Sequence, residues 1–172
     1  MENEFGALKM QFRGKDGFEN TWLYGDLVHR KNPPTNVSPL QINGIGVVTE
    51  TVGMYSGLHD KNKDRIYEGD VVRWFVLEYV GDVYGLEGDC YIREKIAIVR
   101  FELGIFMAND TPLGSISDEV ELVEEYAKFN DNDLDYPANR EKFPYIDRCD
   151  LFRCQILGNI FDNPDLLNDI NE

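Results

Sequence analysis

The chain has 172 residues, with 17 Lys and Arg against 32 Asp and Glu, which gives a formal net charge of −15. Apolar residues make up 42% of the sequence, too large a share for a disordered chain, and no run of roughly 18 apolar residues is present to span a bilayer as a helix. A chain of this length is expected to fold around a substantial core as one domain.

The first residues and the cysteines both predict a cytoplasmic protein. Residues 1–5 are acidic and contain no apolar stretch, whereas a signal peptide needs a basic start and about 7–15 apolar residues. Three cysteines, Cys90, Cys149 and Cys154, cannot form a complete set of disulfides, which fits a reducing compartment. Their spacing, with only two histidines in the chain, does not predict a zinc site.

Two segments of the first half resemble each other at an offset of about 43 residues. The first lies within residues 12–28 and the second within residues 55–72. In each, an aromatic residue stands two positions before a glycine, and a tyrosine, a Gly-Asp pair and two apolar β-formers follow. Glycine accepts a positive φ at a turn, and Asp hydrogen-bonds the neighbouring backbone there. We therefore expect two similar hairpins within a small barrel or sheet.

The polar string from Asp60 to Asp64 lies between strand-like residues 52–58 and 66–76, and it predicts a hairpin loop. Its Asp-x-Asn-x-Asp pattern is similar to a calcium-binding loop. However, Arg65 stands where the sharp-turn glycine belongs, and Val71 stands where the bidentate Glu should be. We therefore expect no metal ion here, and the sequence predicts no cofactor.

The second half begins with strands and then changes to a helical pattern. Residues 91–101 predict a strand that turns at residues 102–104 into a second strand over residues 105–107. Residues 118–129 carry apolar residues at helical spacing and acidic residues near the start, which predicts a short acidic helix. Residues 130–145 are polar and indicate an irregular insertion.

The C-terminal residues predict a closing strand and a short helix. Residues 150–161 return to apolar, strand-like character. Asn163 at the N-cap and Pro164 at the first helical position are a helix start signal. Leu166, Leu167 and Ile170 are the expected docking face of this helix.

The negative charge is concentrated in the second half. Residues 1–75 carry 9 basic and 10 acidic groups, whereas residues 76–172 carry 8 and 22. An acidic surface repels a phosphate backbone, so nucleic-acid binding by the whole chain is disfavoured. The near-neutral first half still contains candidate nucleic-acid contacts, which also fit a solvated hairpin tip: Lys61, Lys63, Arg65, Arg73 and Trp74.

Three stretches resemble the sequence of the YopX family. These are Tyr55-Ser56-Gly57-Leu58-His59-Asp60-Lys61-Asn62 with Ile66-Tyr67-Glu68-Gly69-Asp70-Val71-Val72, then Leu157 to Leu167, and the opening Phe12-Arg13-Gly14-Lys15 with Trp22 and Tyr24-Gly25. The resemblance implies a phage or prophage origin and a β-rich fold that contains a small, partly open, SH3-like barrel. It implies no biochemical activity.

One departure from the family pattern concerns the hairpin tip. Family members often carry Asn-Gly there, whereas in this chain Asn62 is followed by Lys63. Because a lysine is strained at a positive φ, we expect a longer loop or a different turn.

The residue types of the family motif point to structural roles, because turns, packing and caps account for each of them. The motif residues are Gly57, Asp60, Asn62, Tyr67, Glu68, Gly69, Asp70, Gly158, Asn159, Ile160, Asn163 and Pro164.

Taken together, these features predict a mainly β (β-rich α+β) fold in a single domain, residues 1–172. We expect hairpins of a small, partly open SH3-like barrel over residues 12–107. An acidic helix and an irregular insertion are expected over 108–147, and a closing strand with a terminal helix over 148–172.

The function expected is that of a non-enzymatic interaction or scaffold protein. The sequence contains no Gly-x-Ser-x-Gly elbow, no phosphate-binding loop and no Rossmann glycine fingerprint. The partner expected is a protein of unspecified identity, with a second copy of the chain as one candidate and no membrane. The alternatives are nucleic-acid binding by the first half, or imitation of DNA by the acidic half, in which Glu119, Glu121, Glu124 and Glu125 would take part.

Overall fold

The structure is a computed structural model that describes residues 10–35, 37–81, 88–117, 153–168 and 170. Across these ranges the chain forms twelve strands, all paired antiparallel, and three short 3₁₀ helices, Thr49–Thr51, Leu113–Ser115 and Pro164–Leu167. The strands are β1 (Phe12–Lys15), β2 (Trp22–Gly25), β3 (Leu27–His29), β4 (Leu40–Ile42), β5 (Ile45–Gly46), β6 (Gly53–His59), β7 (Arg65–Tyr67), β8 (Asp70–Gly81), β9 (Gly88–Glu102), β10 (Ile105–Ala108), β11 (Thr111–Pro112) and β12 (Gln155–Asn159).

The two similar segments form two hairpins of one sheet. Strand β1 pairs with β2, β6 pairs with β7, and β1 also pairs with β6, so the sheet order is β2-β1-β6-β7. The predicted hairpins are therefore confirmed. They are not identical, because the register of the second shifts between Tyr55 and His59, where Gly57 has a φ of +84°.

A second sheet has the order β11-β10-β9-β8-β12. Its β9 strand and the turn into β10 confirm the strands predicted over residues 91–101 and 105–107. The strand-like stretch predicted over residues 66–76 is interrupted at the Gly-Asp pair, where the sequence also predicts a turn. A turn at Gly69, which has a φ of +84°, divides it into β7 and β8, and these strands belong to different sheets.

The main hydrophobic core lies against the second sheet. Strand β8 is buried on both faces, since Val71 and Val72 point in opposite directions and are both fully buried. Within the described residues, one cluster of buried core residues consists of Ile66, Val72, Trp74, Ala97, Val99, Ala108, Leu113, Ile116 and Cys154. Cys154 is fully buried within this cluster.

A small third sheet, with the order β3-β4-β5, packs against β1. A bridge between Asp16 and Val47 joins the end of β5 to the end of β1. Gly14 lies directly on Val47, and a Cβ atom at Gly14 would approach the Val47 Cβ to 3.1 Å. The glycine in the first hairpin therefore allows a close approach, whereas Gly57 in the second allows a positive φ.

The predicted mainly β fold is confirmed, and the sheets form no closed barrel within the described ranges. The acidic helix predicted over residues 118–129 and the insertion over 130–145 lie outside the described residues. The C-terminal helix is present as the 3₁₀ helix Pro164–Leu167, but Asn163 makes no side-chain capping bond to it. In the part of the chain that the structure covers, no helix is long and apolar enough to cross a membrane.

A cation–aromatic cluster as the candidate functional site

The stretches that resemble the YopX family meet at the turn between β7 and β8. The Gly69 carbonyl accepts a hydrogen bond from the Ile160 amide (3.0 Å), and its own amide donates to the Val99 carbonyl (2.9 Å). Arg13 Nη2 donates to the carbonyl oxygen of Glu68 (3.1 Å). Residues from the start, the middle and the end of the chain therefore hold one another in place.

Arg13 and Asp70 form a buried ion pair beneath this turn. Their side chains are 7% and 2% exposed, and Arg13 Nη1 lies 2.6 Å from Asp70 Oδ1. The other carboxylate oxygen accepts a hydrogen bond from the Tyr67 amide (2.8 Å). Burial raises the pKa of Asp70 to about 6, although the Arg13 guanidinium and the Tyr67 amide act to lower it.

A second acid–base contact joins β1 to the C-terminal motif. The Lys15 ammonium pairs with Asp162, which also accepts hydrogen bonds from Trp22 Nε1 (2.6 Å) and Asn159 Nδ2 (2.9 Å). The hydrogen bonds from Lys15, Asn159 and Trp22 lower the pKa of Asp162 to about 2. This carboxylate therefore stays ionised well into the acidic range.

Aromatic rings alternate with these cations on one face of the first sheet. The Arg13 guanidinium lies 4.7 Å from the Trp22 ring centroid and 5.1 Å from that of Tyr67. The ring of Tyr67 in turn lies 5.6 Å from Tyr24 and 5.4 Å from Tyr55. We call this group the cation–aromatic cluster: Arg13, Lys15, Trp22, Tyr24, Tyr55 and Tyr67.

Strand register explains why these side chains meet. Arg13 pairs with Tyr24 and Lys15 pairs with Trp22 across β1 and β2, so all four side chains share one face of the sheet. Sequence reasoning did not select Trp22, Tyr24 and Tyr55 as a surface. The two-residue spacing of Trp22 and Tyr24 indicates that they share a face of β2, but only the pairing of β1 with β2 shows that Arg13 and Lys15 lie on the same face.

The cluster presents mainly aromatic surface to solvent. Arg13 and Lys15 are both buried and each is paired with a carboxylate. The Tyr24 ring is 51% exposed, and Arg65, which is exposed, lies over Tyr55 with its Cζ atom 5.6 Å from the ring centroid. The cluster can therefore offer stacking and packing, with Arg65 as the exposed cation next to it.

Asp60 organises the tip of the β6–β7 hairpin from within. Its side chain is fully buried, and Oδ1 accepts hydrogen bonds from the amides of Asn62 (2.8 Å) and Asp64 (3.0 Å). Its Oδ2 accepts one from the amide of Ile156 (3.0 Å). The loop between β6 and β7 spans residues 60–64 and is therefore longer than the two-residue turn typical of Asn-Gly, as expected, and Lys63 has a φ of +70° within it.

The structure separates the predicted nucleic-acid contacts. Trp74 is 4% exposed and belongs to the core, so the prediction that its ring contacts a ligand is wrong. Arg73 lies in the second sheet and bonds Glu94 (3.3 Å) and Gln155 (3.0 Å). Lys61, Lys63 and Arg65, in contrast, all belong to the hairpin of the first sheet.

The C-terminal motif forms a tight turn. Asn159 Oδ1 accepts hydrogen bonds from the amides of Phe161 and Asp162 (both 3.0 Å). Asn163 Oδ1 accepts one from the Asn159 amide (3.2 Å), which occupies the side chain expected to cap the helix. Gly158 must lack a side chain here, because a Cβ atom would lie 2.2 Å from Asn163 Oδ1.

A second feature is an apolar tip on the β9–β10 hairpin. Leu103 is fully exposed and has a φ of +52°, and Gly104 follows it with a φ of +89°. Phe101 and Ile105 flank the turn and are 44% and 51% exposed. Large apolar side chains therefore surround the end of this hairpin.

Fold and site together define a mainly β protein whose motif residues join distant segments around a cation–aromatic cluster. No group of three or more His, Cys, Asp or Glu side chains is placed to hold a metal ion within the residues described. The sequence matches the family of YopX proteins over residues 11–168, and the chain belongs to this family.

Among solved structures, the chain is similar to the crystal structure of protein EF1440 from Enterococcus faecalis. The two are 19% identical, the match covers 92% of this chain and 97% of that chain, and the TM-score is 0.38. Comparison with curated proteins finds no match.

Proposed function

We propose that this YopX protein is a phage- or prophage-encoded interaction or scaffold protein. It has no enzymatic activity in this proposal, acts in the bacterial cytoplasm and uses an SH3-like arrangement of its hairpins as the scaffold. Support comes from the motif side chains, because Asp60, Asp70, Asn159 and Asn163 all direct their oxygens to groups of the chain itself. These hydrogen bonds hold loops and turns of the chain in place, and a rigid fold of this kind suits a protein that acts by binding.

The apolar tip of the β9–β10 hairpin is the observation that carries the proposal. Leucine at a left-handed φ is disfavoured by about 1–2 kcal/mol, and Asn is a preferred residue at this place in a two-residue hairpin turn. The turn conformation therefore disfavours a leucine at position 103, and so does the exposure of its apolar side chain to water. Exposed apolar groups of this kind mark contact surfaces, and a protein partner or a second copy would bury them.

The substitution Leu103→Asn tests the proposal, since Asn suits the turn and removes the apolar side chain. The tagged protein is incubated with a lysate of a bacterial host, and the captured proteins and any second copy are identified by mass spectrometry and light scattering. We expect the wild type and a Val28→Thr control, which changes another exposed apolar residue, to retain a partner that Leu103→Asn loses. Equal capture by all three proteins, or none by the wild type, would contradict the proposal.

Nucleic-acid binding is the second candidate, favoured by the half-exposed Tyr24 ring beside Tyr67 and by exposed Arg65 over Tyr55. Single-stranded nucleic acid stacks on aromatic rings flanked by cations. Fluorescence anisotropy with labelled oligo-dT and oligo-rU at low salt tests it. Tyr24→Ala should weaken binding roughly 5- to 150-fold, as expected for loss of one stacked base, and Arg93→Gln should not. Absence of binding at low salt would remove this candidate.

A further inference from the structure

A groove with a volume of about 290 Å³ lies beside the turn between β7 and β8. Its walls come from Val52, which follows the first 3₁₀ helix, from Ile98 of β9, and from Ile160 and Phe161 of the C-terminal motif. All four residues are half-buried, so their side chains present apolar surface to the opening. The groove therefore combines family-motif segments, which supply Gly69, Ile160 and Phe161, with residues from outside the motif, and it lies next to the cation–aromatic cluster.

Gly69 forms part of the groove lining without a side chain. Its φ of +84° is strained for any other residue, and a Cβ atom here would lie 3.3 Å from the Phe161 ring. The absence of that atom leaves room between the turn and Phe161. An extended side chain can lie in this space against apolar walls.

Two carboxylates border the groove. Neither Glu50 nor Glu68 forms an ion pair with any residue that the structure describes, and the hydrogen bond that the Glu68 carboxylate accepts from the Phe101 amide is long (3.4 Å). Arg100 also lines the groove, but its guanidinium lies 3.9 Å from the Glu102 carboxylate. The border therefore has an excess of negative charge, in contrast to Asp70 and Asp162, which are each paired with a cation.

We propose that this groove binds a lysine or arginine side chain of a basic segment in a protein partner. The methylene stem of such a side chain packs on Val52 and Ile98, and its charged end pairs with Glu50 and Glu68. An uncharged apolar side chain would leave both carboxylates unpaired. The inference rests on the proposed interaction function and specifies the chemistry of the partner, which the net charge of −15 also favours.

The probe is a synthetic acetylated pentapeptide amide, Gly-Leu-Arg-Leu-Gly, and its counterpart with glutamine in place of arginine. Binding to the full chain is followed by nuclear magnetic resonance of the backbone amides of Gly69, Val99 and Phe161. We expect the arginine peptide to shift these amides and the glutamine peptide to bind more weakly. Glu50→Gln and Glu68→Gln should each weaken the arginine peptide about 1.5- to 5-fold, as exposed ion pairs do.

The matched control is Glu19→Gln, which removes one exposed negative charge in the turn between β1 and β2 and should leave the affinity unchanged. Equal effects of the three substitutions would overturn the proposal, because binding would then depend on overall charge. The same conclusion follows if the groove amides do not shift, or if they shift with protein concentration alone, which would indicate a second copy. The two proposals fail separately. If Leu103→Asn abolishes capture of a partner from the lysate but the arginine peptide does not bind in the groove, this inference is overturned and the proposed function is retained.

Discussion

Asp60 and Asp70 are two buried carboxylates that the chain satisfies in different ways. Asp60 is surrounded by backbone amides of its own loop and of β12, whereas Asp70 pairs with the guanidinium of Arg13. Backbone donors fix a local conformation, and a side-chain cation joins two strands. The first arrangement therefore shapes a hairpin tip, and the second connects β1 with the start of β8.

Replacement of Asp60 tests the first role. Asp60→Ala leaves the amides of Asn62, Asp64 and Ile156 without their acceptor, and a buried unsatisfied amide costs about 1–3 kcal/mol. We expect the free energy of unfolding, measured in urea, to fall by about 3 kcal/mol or more. The exposed Asp64→Asn is the control and should change it by less than about 0.5 kcal/mol. A similar small change for Asp60→Ala would contradict this account.

The raised pKa of Asp70 predicts a pH dependence. Because its pKa is about 6 in the folded state against 3.8 for the unperturbed group, the folded protein binds a proton that the unfolded chain does not between these values. The contribution of Asp70 to stability is therefore greatest below pH 3.8 and is lost as the pH rises through 6, by about 1–3 kcal/mol in total. Asp162, with its pKa lowered to about 2, has the opposite sign and loses its contribution only as the pH falls from 3.8 towards 2.

Carboxyl carbon resonances measure both pKa values directly, and urea unfolding at pH 7 and pH 5 measures the linked stability. Asp70→Asn should show a smaller gain in stability than the wild type between these two pH values. An Asp70 titration midpoint below 4 would show that the Arg13 guanidinium outweighs burial.

Among the elements, β6 and the turn between β7 and β8 approach most closely at Gly53. A Cβ atom on Gly53 would lie 2.4 Å from the Glu68 carbonyl oxygen, a backbone atom that cannot move independently of the turn. Gly53 also pairs with Arg13 across β1. Together with the hydrogen bond from the Glu68 amide to the Met54 carbonyl (2.9 Å), this close approach holds the turn against β6.

We expect Gly53→Ala to separate β6 from this turn and to lower the free energy of unfolding by about 1–3 kcal/mol, the range for overpacking. Gly114→Ala is the matched control, because a Cβ atom at Gly114 meets no atom within 4 Å and the backbone φ is not positive. Thermal unfolding of both variants gives the comparison. Equal melting temperatures would show that the turn adjusts without strain.

The elements that were predicted correctly depend on local patterns, and those that were missed depend on pairing. Repeated glycines and aromatics predicted both hairpins of the first sheet, and alternation predicted β9 and β10. The Gly69-Asp70 pair predicts the turn within residues 66–76, but the placement of β7 and β8 in different sheets has no local signal in the sequence. Trp74 follows the charged Arg73, which suggests a surface position, but the charge of a neighbour in the sequence does not determine whether a side chain is buried.

The candidate site was predictable only in its parts. The family resemblance includes Arg13, Tyr67 and Asp70, but it does not show that Arg13 contacts both of the others, because that contact follows from the pairing of strands distant in the sequence. The groove brings Glu50 and Glu68 together with Ile160 and Phe161 of the C-terminal motif. In the sequence, Glu50 lies more than a hundred positions before Ile160, and Glu68 lies about ninety positions before it. Such a combination has no periodic signal in the sequence.

At the scale of the whole molecule, the net charge of −15 opposes compaction through mutual repulsion. Exposed charges respond to salt, since the screening length falls from about 30 Å at 0.01 M to about 3 Å at 1 M. The buried Arg13–Asp70 pair responds much less, because salt does not reach it. Added salt should therefore weaken repulsion at the surface more than it weakens this internal pair.

We expect the free energy of unfolding to rise with sodium chloride over this range at pH 7. Urea unfolding at several salt concentrations measures the change. The double substitution Glu19→Gln with Asp110→Asn, which removes two exposed negative charges, should reduce the salt dependence. A free energy that falls with salt would show that attractive surface pairs dominate.

The bonds from Asp60 and Lys61 to the residues before and within β12 have a consequence for biosynthesis. The Asp60 carboxylate accepts a hydrogen bond from the Ile156 amide, and the Lys61 amide donates one to the Cys154 carbonyl, so the hairpin is completed by residues that the ribosome adds well after it, in the case of Ile156 96 positions after Asp60. Until then the Asp60 carboxylate lacks one of the donors that bond it in the folded protein. The hairpin therefore acquires its native set of bonds only after residue 156 has been added, and termination before residue 154 would leave that set incomplete.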